Sequence, residues 1–189
     1  MRQDREWGLA LYVRDRSQAE VDQGLYTLEA EFVTEHLVIQ GELSSPEGRL
    51  SDHLNSSSQS VEIQPTTVRR IYSGDSIDLA GAHAHVTKAH LLFIVPIVEP
   101  ARPQHVVESV RTSKMTKQCW AALGRYSIVG QIHAEALRDP RLILRGLEHK
   151  QFLPFTDAQI TAPDGSTHSY GAVLVNRAHL EMLALRNII

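Results

Sequence analysis

His83 and His85 stand two residues apart, and on a strand that spacing sends both imidazoles to one face, where they could supply two ligands to a metal such as zinc. Asp75 and Asp78 in the preceding loop are the groups that would have to complete the set. At the offset of an internal similarity described below, His83 and His85 correspond to Ala172 and Leu174, neither of which binds metal. The pair therefore reads as a solvated strand face, and no metal site is expected. His90 and His179 do recur at that offset. Each follows an alanine at the start of a strand, after Thr87-Lys88 or Asn176-Arg177, where an imidazole can hydrogen-bond backbone groups and fix a turn. For nucleophilic catalysis Cys119 has no Cys-centred signature around it and no serine sits in a Gly-x-Ser-x-Gly elbow, so Cys119 reads as a small core residue beside Trp120. Asp52, Asp139 and Asp157 fall at a helix interior, a helix cap and a strand end, which gives no reason to pair them as acid and base. No glycine loop suited to cradling a phosphate occurs. The expectation is a protein without catalytic, cofactor-binding or metal-ligating residues, hence not an enzyme.

The elements that hold these residues follow from patterning. Of 189 residues, 42% are hydrophobic and 22% charged, the mix of a globular chain with a core, and the formal net charge of −3 lacks the excess that attracts phosphate backbones or anionic lipid. Arg69, Arg70, Lys88, Arg111, Lys114, Lys117, Arg141, Arg145, Lys150 and Arg177 would have to converge on one face to bind nucleic acid; scattered solvated charge is the default. A single cysteine forms no intramolecular disulfide, which points to a reducing, cytoplasmic setting. The apolar runs Leu9–Val13 and Leu91–Val98 are too short for a membrane span.

Two blocks match at an offset of 89 residues. Leu37, Ile39, Gly41 and Leu43 alternate as one face of a strand, and Tyr126, Ile128, Gly130 and Ile132 stand at the corresponding places. Val86-Thr87-Lys88-Ala89-His90-Leu91 likewise matches Val175-Asn176-Arg177-Ala178-His179-Leu180. Between these anchors each block holds a short helix: one around Leu50 and Leu54 ending at Asn55, the other capped by Asp139 with Pro140 first and stopping at Gly146. Strands are expected at Val61–Ile63 and Phe152–Ala158, where Pro154 argues for an edge or a strand end. Pro163-Asp164-Gly165-Ser166 is a turn leading into a strand run from Tyr170 to Leu185, and the loop Ser73–Gly81 holds its place in the first block. The spacing predicts a mainly β fold of two tandem small β-barrel or β-sandwich modules, each with one short helix. The divisions are an N-terminal extension at 1–25, with a short helix over Arg14–Leu25, a first module at 26–99, a linker at 100–111 and a second module at 112–189.

Gly48-Arg49-Leu50-Ser51-Asp52-His53-Leu54-Asn55 and Phe152-Leu153-Pro154-Phe155-Thr156-Asp157-Ala158 carry a resemblance. The chain resembles an uncharacterised bacterial domain family with a Gly-Arg-Leu-Ser-Asp-x-Leu-Asn stretch followed by Phe-x-Pro-Leu-Thr-Asp-Ala; here Phe155 replaces the leucine, and each block keeps one half of the signature. It is more distantly similar to Sm-like barrels, with Gly41 and Gly130 in the place of the bent-strand glycine. That likeness implies RNA or nucleotide binding as one function. The residues themselves favour another: a non-catalytic interaction or scaffold protein that associates with itself or a protein partner through strand edges and apolar faces.

Overall fold

The computed structural model describes residues 25–79, 81–98, 114–135 and 140–185. Strand β1 (Tyr26–Thr34) turns into β2 (Leu37–Ser45), followed by helix α1 (Leu50–Leu54), β3 (Ser60–Arg70), β4 (Ser76–Ile77), β5 (Ala84–Thr87), a 3₁₀ turn η1 (Lys88–His90) and β6 (Leu91–Val98). The C-terminal half runs β7 (Lys114–Leu123), β8 (Tyr126–Glu135), α2 (Pro140–Gly146), β9 (Phe152–Thr161), β10 (Thr167–Asn176), a 3₁₀ turn η2 (Arg177–His179) and β11 (Met182–Leu185). The mainly β expectation holds. Residues 1–24 of the extension, the linker at 100–111, and Asp139 and Arg111 lie outside the described residues.

Among the described residues the strands form one antiparallel sheet, in the order β11-β7-β8-β9-β10-β6-β1-β2-β3-β4, with β5 paired to β3 off this path. Alternation is the reason for it. On β1, Leu28, Ala30 and Phe32 are buried at period two, and on β2 Ile39 and Leu43 meet them. A fully buried side chain of this size contributes about 1.5–3 kcal/mol by leaving water, enough over a dozen such positions to hold the sheet. The cores form two clusters, one around Leu28, Phe32, Leu54 and Ile63, the other around Ile128, Phe155, Ile160 and Val175. They are not separate by chain segment: Phe152 and Leu174 belong to the first, Val33, Phe93 and Val95 to the second.

Strand β6 explains the longest apolar run. Every residue from Leu91 to Val95 is buried, because β6 pairs with β1 on one edge and β10 on the other and is covered on both faces. Three local expectations need correction. The run from Tyr170 to Leu185 is not one strand; η2 breaks it after Asn176, whose side chain accepts a hydrogen bond from the Ala178 N–H and so turns the chain. The loop Ser73–Gly81 contains the short strand β4. Strand β9 is interior, so the edge alternative falls, and Pro154, its third residue, stands near the strand end. The β8 ladder stops at Phe155, so on that side no strand partner faces Pro154.

Candidate functional site

Buried polar groups collect at the seam between residues 26–98 and 114–185. Asn176 is fully buried; its Nδ2 donates to the carbonyl oxygens of Lys88 (2.9 Å) and Leu91 (2.7 Å) while its Oδ1 serves Ala178 N. Asn55, one position past α1, grips the main chain of Phe152 in both directions: the Phe152 N–H donates to Oδ1 (2.9 Å) and Nδ2 donates to the Phe152 carbonyl (3.1 Å). The last residue of one signature thus holds the first residue of the other. His179 Nε2 donates to the Ala89 carbonyl at 2.6 Å, which fixes the tautomer, since a carbonyl only accepts. Its counterpart His90 is exposed.

Lys88 is almost wholly buried, and its ammonium donates to the carbonyl oxygens of Ser56 (3.2 Å) and His53 (3.4 Å) and to Ser56 Oγ (3.3 Å). Burial holds its pKa below the usual lysine range, against an opposing pull from Glu47. The His53 carbonyl also accepts from the Ser56 N–H at 3.2 Å, so Lys88 adds a charged donor to the turn that ends this five-residue helix.

Beside it lies a serine, histidine and glutamate cluster that the sequence reading did not identify. Ser45 Oγ is 2.7 Å from Glu47 Oε2 and 2.9 Å from His53 Nδ1, and the same Nδ1 is 3.3 Å from Glu47. A catalytic relay uses the two ring nitrogens for different partners and presents an open hydroxyl. Here one nitrogen meets both groups, Ser45 is completely buried, and its Oγ also accepts from Glu47 N (3.0 Å). The cluster ties β2 to α1. The Ser45 hydrogen bond is the main cause that holds the Glu47 carboxyl below its ordinary range.

A shallow cleft of about 200 Å³ opens where both halves meet, lined by Glu35, Tyr72, Leu92, Arg125, Tyr126, His179 and Glu181 among others. The Arg125 guanidinium lies 5.7 Å from the centre of the Tyr72 ring, and Glu181 Oε1 accepts from Gly124 N at 3.0 Å. Its charges are of both signs, so it complements no ligand of a single sign. Burial raises the Glu31 carboxyl above its ordinary range, offset in part by Arg69 and His168, and burial likewise raises the phenols of Tyr126 and Tyr170. A carboxyl whose pKa is raised by folding stabilises the fold when protonated, and that contribution is lost as pH rises through the folded-state pKa. Glu31→Gln is therefore expected to raise the melting temperature at neutral pH, with the gain shrinking below the unfolded pKa; melts across a pH series check it, and a gain that grows on acidification contradicts it.

Of the candidates read from the sequence, His83 and His85 remain apart from any ligand set. His83 Nδ1 is 3.7 Å from Glu62 on an exposed surface, and no group of three metal-ligating side chains occurs among the described residues. Cys119 is a buried core residue, its thiol pushed up to about 12 by burial and so held protonated. Asp52 lies in α1. Asp157 is within β9, not at its end, and has φ 48°, the left-handed region, at a shift in the β8·β9 register. The basic residues sit on separate elements: Arg69 and Arg70 end β3, Lys117 is on β7, Arg145 on α2, Lys88 is withdrawn into the seam, and Arg177 Nε donates to the Lys150 carbonyl at 3.1 Å. Asn55 and Asn176 were legible only as turn formers.

No protein-family model, curated protein or solved structure matches this chain. Among the described residues no helix is long and apolar enough to cross a membrane.

Proposed function

We propose that this protein is a non-catalytic interaction module made of two fused copies of one small β-barrel, and that it joins a protein partner or itself through an open strand edge. The duplication is supported by pairing. Ala30 stands opposite Gly41 in β1·β2, and Cys119 opposite Gly130 in β7·β8; β2·β3 and β8·β9 both shift register beside those glycines. Strand β6 returns to β1 as β11 returns to β7.

The observation that carries the function is the end of the sheet at β11. This strand pairs with β7 alone among the described residues, which leave the other side of its main chain to a further strand. Strand-edge binding that also buries apolar surface is little affected by salt, whereas binding to phosphates weakens steeply. Light scattering on the purified protein at low and high salt, beside RNA-binding titrations over the same series, tests this. Association that survives high salt is the expected result. A strictly monomeric protein that binds RNA tightly and in a salt-sensitive way would replace this reading by RNA or nucleotide binding.

A further inference from the structure

The outer face of β1 and β6 carries Glu31 opposite Val95 and Val33 opposite Phe93. The C-terminal half covers it: Val33, Phe93 and Val95 pack with Ile128, Val173 and Val175, and the edge of β6 takes β10, with Leu174 against Ile94 and Val175 against Phe93. The same arrangement recurs 89 residues on, where Trp120 stands opposite Ala184 and Ala122 opposite Met182 on β7 and β11. There the described residues leave the face open. Trp120 is 38% and Met182 53% exposed, against 4% for Phe93, the counterpart of Met182.

Charge has left this face as well. Glu29, Glu31 and Glu42 on β1 and β2 correspond to Gln118, Trp120 and Gln131 on β7 and β8, and Trp120 lies beside Val129. Sheet edges are ordinarily protected by charge, shortness or cover. The opposite end of this sheet has such protection: β4 is two residues long, and β5 presents His85 next to exposed Glu62 and His83. His85 stands where the seam has the apolar Leu174, which makes that end a poor mate for Met182-Leu183-Ala184-Leu185. The best match for an uncharged apolar strand with an open edge is its own image, since a two-fold axis perpendicular to a strand sets it antiparallel to its copy.

We infer that two copies of this chain form a two-fold dimer in which β11 pairs antiparallel with β11 of the second copy and Trp120 and Met182 leave water. The inference rests on the assembly function proposed above and names the partner and the surface. Sedimentation velocity from micromolar to millimolar concentration, on the natural chain and on Trp120→Glu and Met182→Glu, tests it. Each carboxylate would be buried close to its copy across the axis, so the dimer should weaken by at least about 100-fold. Both side chains are exposed in one copy, so the unfolding midpoint of the monomer should hardly change. Leu79→Glu, at the other end of the sheet, should leave the dimer intact. In a Trp7→Phe background the emission of Trp120 should shift to shorter wavelength as concentration rises.

A natural chain that stays monomeric throughout overturns the dimer. A dimer that persists in both glutamate variants overturns the surface while leaving self-association standing. Trp120 emission that is already shifted, independent of concentration and restored by removing residues 1–24 would put the chain's own N-terminal segment on this face, and overturns the inference too.

Discussion

Asn176→Ala is expected to lower the free energy of unfolding by about 2 kcal/mol or more, because a buried amide loses three hydrogen bonds at about 0.5–1.5 kcal/mol each: those to the Leu91 carbonyl, the Ala178 N–H and the Lys88 carbonyl, which keeps only the Leu91 N–H. Asn176→Asp should be worse at neutral pH. It keeps the acceptor for Ala178 N but turns the donor into a carboxylate aimed at two carbonyl oxygens. The folded state would then raise the new carboxyl's pKa, so this variant should recover toward the alanine variant as pH falls and the group protonates. Urea unfolding at two pH values measures both effects. A loss below about 1 kcal/mol for the alanine variant would mean that water replaces the amide and that the seam is not closed there.

The glycines should give the second large effect. A Cβ on Gly41 would sit 2.8 Å from the Gln64 carbonyl oxygen and 3.1 Å from the Pro65 Cα, both main-chain atoms, so the β2·β3 ladder would have to move. Gly41→Val is expected to cost about 3 kcal/mol. Gly130→Val should cost somewhat less, since its nearest contact is the Thr156 carbonyl at 3.1 Å. His83→Ala, on an exposed surface, should fall within about 0.5 kcal/mol of the natural protein. Thermal or urea unfolding ranks the three. Equal losses for His83→Ala and Gly130→Val would contradict the account.

The sequence was readable where the physics is local. Period-two alternation marked β2 and β8, Pro140 and Gly146 bracketed α2, and Asp164-Gly165 marked a turn that the Asp164 side chain closes by accepting from Ser166 N at 2.9 Å. Reading failed where a partner lies far along the chain. Asn55 ends a helix, as asparagines do, but its function at the seam depends on Phe152, 97 residues away. Asn176 has the same history with Lys88 and Leu91. The apolar run of β6 carried no sign of two-sided burial, because a strand covered on both faces and a buried helical segment look alike over eight residues. The open face of β7 and β11 was hidden for a simpler reason. Alternation puts Cys119 inside and Trp120 outside, but it does not tell whether something covers the outer position.

The exchange of side chains between the two cores has a consequence for synthesis. Phe152 and Leu174 complete the cluster around Leu28, Phe32 and Leu54, so a nascent chain that has emerged only as far as Val98 has an apolar gap in its first core and Asn55 without its mate. Leu174 follows Val98 by 76 residues (174 − 98), an interval of roughly 4–15 s at translation rates of about 5–20 residues per second. During that interval the N-terminal half offers a chaperone the very surface that its own C-terminal half later occupies. A gene divided within residues 99–113 should accordingly yield two pieces that are poorly folded alone and regain structure when expressed together.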